Sequence, residues 1–327
     1  MTPRAVLVTG GAGFIGRWVV RELLAGGSGE HRFAPPRVVV LDNLENGSRE
    51  NLAEFAGDSN LAPLVEGDVG DRELLGELFA EHDFDLVLHL AAKINVQESI
   101  DEPAGVFEAD VAGAFYLLEQ ARRAGAAFVL MSTCMVYARS TDAAGIDENH
   151  PTVPASPYAG AKLSAEHMTI SYYHAYGMRT AVLRPFNTYG PFQKSTGEGG
   201  VVSIFLYNEL TGQPLRIYGD GTQTRDLLYV EDCAAFTVRA AMADEAVGRV
   251  LNAGTGRDVT INELAASICA DPARIEHVPH IHPQAEIQKL QADPRLAQRL
   301  LNWRPRVSLE DGIDRTKQWI KTKINLS

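Results

Sequence analysis

The stretch that decides the fold reads Thr9-Gly10-Gly11-Ala12-Gly13-Phe14-Ile15-Gly16. It follows an apolar segment, residues 5–8, and leads directly into a helical pattern over residues 17–24. The glycines of this stretch permit a tight turn, a close approach of the backbone to a phosphate, and close packing of the helix against the strand. The helix N-terminus adds amide donors and a positive dipole end. This order of strand, turn and helix predicts a binding site for the pyrophosphate of a dinucleotide.

A second apolar segment, residues 38–41, ends in Asp42 and completes the predicted unit. A carboxylate at this point accepts hydrogen bonds from a ribose 2′-hydroxyl and repels a 2′-phosphate, which favours NAD over NADP. Asp42 lies farther from the glycines than the usual ~20 residues. Glycines and prolines between residues 26 and 36 explain the excess as a longer loop.

The chain has 327 residues, of which 45% are apolar and 22% charged, and a formal net charge of −12. This size fits one large α/β unit or two coupled domains, and the negative charge argues against nucleic acid and anionic membranes as partners. We expect a cytoplasmic protein, because no signal peptide pattern and no run of about 18 apolar residues occurs. The cysteines, Cys134, Cys233 and Cys269, and the histidines lack metal-site spacing, so no metal or disulfide is expected.

Strand and helix patterns alternate through the first half of the chain. Strands are predicted near residues 4–9, 37–42, 62–65, 85–90, 127–132 and 180–184, and helices near residues 14–25, 71–81, 104–124 and 157–176. Such alternation predicts an α/β fold with a doubly wound parallel sheet. Beyond about residue 185, proline and glycine interrupt shorter elements. We therefore expect a cofactor-binding domain over 1–185 and a smaller substrate-binding lobe over 186–327, with an interleaved boundary.

Tyr158 and Lys162 are candidate catalytic residues. Ser156-Pro157 begins a helical pattern, and the four-residue spacing places the tyrosine and the lysine on one helix face. A nearby ammonium should lower the phenol pKa from about 10, so that Tyr158 could take a proton near neutral pH. Lys162 could also hold the nicotinamide ribose.

The order of these motifs resembles the extended short-chain dehydrogenase/reductase family, in particular its nucleotide-sugar epimerases and dehydratases such as the UDP-glucose 4-epimerases. Residues 89–92, 132–133, 184–191 and 217–226 also resemble family motifs. The resemblance implies a Rossmann-type domain with a small C-terminal lobe, NAD as a reused cofactor, and a nucleotide-sugar substrate. In the family, a tyrosine takes the proton of the sugar 4-hydroxyl while C4 passes a hydride to NAD.

The resemblance also implies roles for individual residues. NAD would contact Gly10, Gly13, Phe14, Ile15, Gly16, Asp42, Asn43, Asp68, Val69, Leu90, Ala91, Ala92, Tyr158 and Lys162. The substrate would contact Lys93, Thr133, Asn187, Val201, Arg216, Arg225 and His282. The catalytic candidates are Thr133, Tyr158 and Lys162, with Cys134 and Lys93 as possible additions. Relatives also pair two long helices into a four-helix bundle, so we expect a homodimer.

Three positions depart from the family pattern. Cys134 and Met135 stand where 4,6-dehydratases have an Asp-Glu pair, which favours a 4-epimerase acting on a UDP-hexose, UDP-N-acetylhexosamine or UDP-uronate. Cys134 leaves a dehydratase open as the alternative, and it could also be a buried thiol that only fills space. Lys93 could bind a uronate carboxylate, supply a proton or simply reach water.

The third departure is the segment from His280 to Glu286, which lacks the usual diphosphate-binding arginine. Either His280 or His282 substitutes for it, Lys289 reaches in, or diphosphate recognition is weaker, with Arg225 and Arg216 as two candidate anchors. A protein that keeps the cofactor fold as a sensor or scaffold is a further alternative, against which the intact Thr133, Tyr158 and Lys162 argue.

Overall fold

The computed structural model describes residues 2–140, 145–195, 199–279 and 287–324. Its strands are β1 Ala5–Thr9, β2 Arg37–Asp42, β3 Val65–Glu66, β4 Leu86–His89, β5 Ala127–Met131, β6 Thr180–Pro185, β7 Asn187–Tyr189, β8 Leu215–Tyr218, β9 Thr224–Arg225, β10 Leu227–Tyr229, β11 Arg249–Ala253, β12 Val259–Thr260, β13 Ile275–Val278 and β14 Lys289–Leu290. Its α-helices are α1 Phe14–Leu24, α2 Arg72–Glu81, α3 Val96–Asp101, α4 Pro103–Val106, α5 Ala114–Ala124, α6 Pro157–Tyr176, α7 Val201–Thr211, α8 Val230–Met242, α9 Ile261–Ile268, α10 Arg295–Leu301 and α11 Leu309–Ile324.

A seven-stranded parallel sheet forms the centre of the molecule, in the order β11-β6-β5-β4-β1-β2-β3. The strand order reverses between β1 and β4, where Thr9 lies opposite His89. Ligands of such sheets bind at this reversal, beyond the carboxyl ends of the strands. The predicted doubly wound Rossmann-type fold is confirmed.

Helices cover both faces of this sheet because the apolar strands are buried on both sides. One core contains α1 and α8, with Leu23 and Phe236 fully buried. The opposite core contains α2, α5 and α6, with Leu75 and Leu117 fully buried. The central sheet is therefore packed between helices on both of its faces.

The chain after residue 186 contributes to both parts of the molecule. Strand β11 returns to the central sheet and pairs with β6, with Leu251 opposite Leu183, and α8 packs against α1. A smaller core around Phe205, Leu264 and Ile320 joins α7, α9 and α11. The chain beyond residue 186 therefore supplies both a strand of the central sheet and this smaller core.

The sequence predicted α6 with its observed bounds, residues 157–176. The Ser156 hydroxyl accepts a hydrogen bond from the Ala159 amide at the start of α6. Gly177, whose φ is 65°, ends the helix. The predicted helix over 104–124 is interrupted by a π-helical turn, Phe107–Gly113. The prediction of a strand over 62–65 was wrong in its bounds, because β3 begins only at Val65. Within the described ranges, no helix is both long and apolar enough to cross a bilayer.

Candidate active site

The turn between β1 and α1 leaves no space for larger side chains. A Cβ atom on Gly16 would lie 2.0 Å from the Gly10 carbonyl oxygen, and one on Gly10, where φ is +71°, would lie 2.7 Å from the Ala91 amide nitrogen. Asp42 holds the turn in place. Its carboxylate oxygens accept hydrogen bonds from the backbone amides of Ala12 and Leu44, each with an N···O distance of 2.9 Å. The turn can therefore bring its backbone close to a phosphate.

A cavity of about 410 Å³ opens beyond this turn, at the carboxyl ends of the central strands. It is lined by every residue predicted to contact NAD: Gly10, Gly13, Phe14, Ile15, Gly16, Asp42, Asn43, Asp68, Val69, Leu90, Ala91, Ala92, Tyr158 and Lys162. Asn43 donates a hydrogen bond to Asp68 at 2.8 Å, which joins the segments that follow β2 and β3 in the cavity wall. The glycine turn and the acidic group at Asp42 fit NAD, since a carboxylate there accepts ribose hydroxyls.

Three predicted catalytic side chains line the cavity. Thr133 follows β5, while Tyr158 and Lys162 lie one turn apart on α6, and all three line the wall. Tyr158 is 9% exposed and Lys162 is 2% exposed. The cavity can therefore present a phenol, a hydroxyl and an ammonium to one bound ligand.

The predicted lowering of the Tyr158 pKa does not hold in this structure. Burial raises the pKa of Tyr158 above its ordinary value, and the negative charge of Asp110 adds to the rise, while the Thr133 hydroxyl acts in the opposite direction. Burial also lowers the pKa of Lys162. Desolvation of the Tyr158 phenol outweighs the lowering of its pKa that was expected from a lysine one helical turn away.

A buried ionic network holds α6 against the sheet, and the sequence pattern did not predict this network. Glu166, one turn beyond Lys162, accepts a hydrogen bond from Arg184 Nε at 2.9 Å and a second from the Ser132 hydroxyl. The Arg184 guanidinium also lies 4.6 Å from the ring centre of Tyr137. The spacing of Glu166 from Lys162 could have indicated that both face inward.

Cys134 and Met135 lie in the cavity wall beside Thr133. Cys134 is 3% exposed and packs in an apolar cluster with Tyr137 and Phe186. Burial raises the pKa of the Cys134 thiol to about 12. The thiol is therefore neutral near pH 7 and is a poor proton acceptor there.

Lys93 lines the cavity, but its ammonium is already paired. Its Nζ atom lies 2.7 Å from Glu45 and 3.1 Å from Glu98. The hydrogen bond with Glu45 is the main cause that raises the pKa of Lys93. Lys93 therefore does not simply reach water, and binding a substrate carboxylate would require it to exchange these partners.

The predicted substrate residues do not all meet at the cavity. Asn187 lines it, whereas Val201, Arg216 and Arg225 are not among its lining residues. Arg216 lies on β8, 3.7 Å from Glu276, and Arg225 donates to the carbonyl oxygens of Thr224 and Ile287. His282 lies outside the described residues, as does His280.

Comparisons with known proteins find similar sequences and structures along nearly the whole chain. The model of the GDP-mannose 4,6 dehydratase family matches residues 7–316. A UDP-glucose 4-epimerase of Mycolicibacterium smegmatis is 36% identical over 97% of this chain and 98% of its own. The X-ray structure of Pal from Bacillus thuringiensis is 54% identical, with a TM-score of 0.93 over 98% of this chain and 99% of its own.

A dehydratase structure is similar to the chain over the same length. DesIV, a dTDP-glucose 4,6-dehydratase from Streptomyces venezuelae crystallised with NAD, is 32% identical, with a TM-score of 0.90 over 98% of both chains. The likeness thus extends to epimerases and to dehydratases alike.

Proposed function

The chain belongs to the family of NAD-dependent nucleotide-sugar epimerases and dehydratases, and from this premise we propose that it is a nucleotide-sugar 4-epimerase acting through a transient 4-keto sugar. The proposed substrates are UDP-linked hexoses, N-acetylhexosamines or uronates. One observation carries the proposal: neither of the two residues after Thr133 is a carboxylic acid. Met135 does not ionise, and Cys134 packs in an apolar cluster with Tyr137 and Phe186.

In the proposed reaction, Tyr158 removes the proton of the sugar 4-hydroxyl and Thr133 donates a hydrogen bond to the same oxygen. NAD held by the glycine turn and Asp42 would supply the acceptor, and later the donor, of the C4 hydride. Lys162 lies one helical turn away in the same buried wall, where its ammonium would oppose the effect of desolvation on the phenol. Tyr158 then returns the proton, so the enzyme ends each turnover in its starting state.

The fate of the 4-keto sugar depends on the groups around its ring. A ketone acidifies the protons on the adjacent carbons, so elimination of water requires a base for the C5 proton and an acid for the C6 hydroxyl. No carboxylic acid stands at Cys134 or Met135 to fill these two roles. Hydride return to the opposite face of C4 is the remaining path, and it gives the C4 epimer.

Product analysis tests the proposal directly. The purified protein is incubated with NAD and UDP-glucose, UDP-N-acetylglucosamine, UDP-glucuronate or dTDP-glucose, and the products are examined by mass spectrometry and proton NMR. We expect a product of unchanged mass with an inverted C4 configuration and no accumulation of NADH. A product that has lost one water would overturn the proposal.

A nucleotide-sugar dehydratase is the second candidate, because a thiol lies beside Thr133 in the cavity wall and the family match extends to dehydratases. Cys134→Ala separates the two functions. An epimerase should keep its activity within a few-fold in this variant, whereas a dehydratase that uses the thiol should lose elimination. Cys233→Ala, at a buried thiol on α8, is the matched control.

We further propose that the protein is a homodimer. Large apolar side chains are exposed on the outer surfaces of the helical segments between residues 96 and 176, including Phe107 at 56% and Tyr176 at 58%. Several large exposed apolar side chains on helices that pack together are typical of subunit interfaces. Light scattering at micromolar concentration should give twice the 35.6 kDa mass of one chain, and Phe107→Glu should shift the mass toward one chain. A monomeric wild-type protein would contradict the proposal.

A further inference from the structure

Arg17 is a buried arginine to which the proposed reaction assigns no role. It lies on α1 one turn after Gly13 and is 1% exposed. Its Nε atom donates a hydrogen bond to the Asn51 carbonyl oxygen at 3.1 Å, and its Nη2 atom lies 2.5 Å from the Glu54 carboxylate. A guanidinium remains charged in proteins. Because a buried charge is costly, the groups packed around it must stabilise it.

Three aromatic rings lie against the Arg17 guanidinium. Its central carbon is 4.0 Å from the ring centre of Phe192, 4.5 Å from that of Trp18 and 5.1 Å from that of Phe55. A cation over an aromatic ring is attracted by the ring quadrupole, and the attraction is stronger where both groups are removed from water. The contact with Phe192 is the shortest of the three, and it joins α1 to the segment that follows β7.

Phe192 has a backbone conformation that is rare for an aromatic residue. Its φ is +73°, in the left-handed region that favours glycine. A phenylalanine in this conformation requires side-chain contacts that offset the strain. The ring has such contacts, because it packs on Arg17 and its centre lies 5.1 Å from that of Trp319 on α11. Arg17 therefore helps to fix both the ring and the backbone of Phe192.

The segment Pro191–Lys194, which we call the strap, connects two walls of the cofactor cavity. The strap residues that line the cavity are Phe192, Gln193 and Lys194. At one end of the strap, the Trp18 indole on α1 donates a hydrogen bond to the Pro191 carbonyl oxygen at 3.2 Å. At the other end, the Lys194 ammonium donates to Asn46 in the loop after β2 at 2.7 Å. The strap is thus fixed to α1 and to this loop.

Both of these elements border the glycine turn. Helix α1 begins at Phe14, directly after the turn, and the Ser48 amide donates to the Ala12 carbonyl oxygen of the turn at 3.1 Å. The strap therefore joins the elements on either side of the place where the turn can bind the pyrophosphate of NAD. A strap fixed there would slow the departure of a ligand that the turn holds.

We propose that Arg17 is a positioning residue that, through the ring of Phe192, holds the strap across the glycine turn and thereby retains NAD between turnovers. Retention serves the proposed function, in which one NAD molecule is reduced and reoxidised in every turnover. The inference itself rests only on the binding of NAD, so it can be tested without a sugar substrate. A residue that only stabilised the fold would change the unfolding temperature and leave the rate of NAD release in place.

The rate of NAD release measures the effect. Stopped-flow fluorescence follows the displacement of bound NAD by an excess of its fluorescent etheno analogue. Phe192→Leu keeps an apolar side chain but removes the aromatic face, and it should speed release about tenfold. Arg17→Met, which removes the charge, should have the same effect. Phe192→Tyr keeps the ring face and should release NAD within about twofold of the wild-type rate.

A matched control separates this role from the general loss of a cation–ring contact. The Arg122 guanidinium on α5 lies 4.9 Å from the ring centre of Tyr176 on α6, and neither is among the described residues that line the cavity. Arg122→Met should therefore release NAD at the wild-type rate. Thermal unfolding shows which variants are folded. Phe192→Leu leaves the buried charge in place, so it still tests the proposal if Arg17→Met does not fold.

The double variant shows whether Arg17 acts through Phe192. Both substitutions remove the same contact, so Arg17→Met combined with Phe192→Leu should release NAD within about twofold of either single variant. Multiplied effects would show that Arg17 acts elsewhere and would overturn the proposal, as would a release rate near wild type in folded Phe192→Leu. If no nucleotide sugar is turned over, the proposed function fails, while the release rates still decide the role of Arg17.

Discussion

The Tyr158 hydroxyl is the atom on which the proposed chemistry depends. Tyr158→Phe keeps the ring in the cavity wall but removes the group that exchanges the proton. We expect turnover to fall by about 10²–10⁴-fold, with NAD affinity largely unchanged, as measured by initial rates and fluorescence titration. Tyr173→Phe, on the exposed side of the same helix, is the control. Turnover close to wild type in Tyr158→Phe would remove this residue from the mechanism.

The buried imidazole of His89 should make the free energy of unfolding depend on pH. Burial lowers its pKa to about 3, whereas the unfolded residue titrates near about 6.5. Between these values the unfolded chain binds a proton that the folded chain does not, so stability falls as the pH falls through this window. The loss from this residue is on the order of 5 kcal/mol at the acid end.

Urea unfolding between pH 7 and pH 4 measures this effect. His89→Asn should lose less stability than wild type over the same pH range. His174→Asn, at an exposed histidine on α6, should follow the wild-type curve. Parallel curves for wild type and His89→Asn would show that His89 carries no part of the pH dependence.

The residues that could be predicted from the sequence are those whose roles follow from local geometry. The glycine turn, Asp42, Tyr158 and Lys162 depend on a tight turn, a strand end or helical spacing. The raised pKa of Tyr158 and the pairing of Lys93 depend on burial and on residues distant in sequence. Asp110 shares the buried stripe of Val106 and Ala114 at four-residue spacing, a signal that indicates an inward-facing charge.

At the scale of elements, the loop after β2 is tied to two other walls of the cavity. Glu45 pairs with Lys93 at 2.7 Å, and Asn46 accepts a hydrogen bond from Lys194 at 2.7 Å. An exposed ion pair contributes about 0.2–1 kcal/mol. Glu45→Gln should therefore speed NAD release by up to about fivefold, because one tie across the cavity is weakened.

Stopped-flow displacement of bound NAD measures this rate. Asp244→Asn is the control, because it weakens an exposed ion pair with Arg179 beside the amino end of β6, away from the cavity. An unchanged release rate in Glu45→Gln would show that this loop does not retain the cofactor.

Elements with their own start and stop signals could be predicted with their bounds. Helix α6 has Ser156 and Pro157 at its start and Gly177 at its end, and these act through the local backbone. The π-helical turn before α5 has no such signal. It packs against α6, a contact that the sequence pattern alone does not show.

At the scale of the whole molecule, the interleaved fold predicts that residues 1–185 are not stable alone. This fragment lacks β11, which pairs with β6, and α8, which covers α1. It should therefore aggregate through an open strand edge and an exposed apolar helix face. Co-expression with residues 186–327 should rescue its solubility. A fragment that is soluble, monomeric and NAD-binding without its partner would contradict this expectation.

Strands β1, β2, β4, β5 and β6 could be predicted because they alternate with helices along the chain. Strand β11 could not, since Arg249–Ala253 is separated from β6 by the elements of the small lobe. Its place in the sheet depends on pairing between distant residues, for which local patterns give no signal.

The late return of β11 also has a consequence for synthesis on the ribosome. At about 5–20 residues per second, several seconds separate the emergence of β6 from that of β11. During this interval the nascent chain has six of the seven strands of the central sheet, and the edge of β6 that later pairs with β11 is open. A holding chaperone would have a defined target in that interval, and codons that slow translation between the two strands would lengthen the exposure.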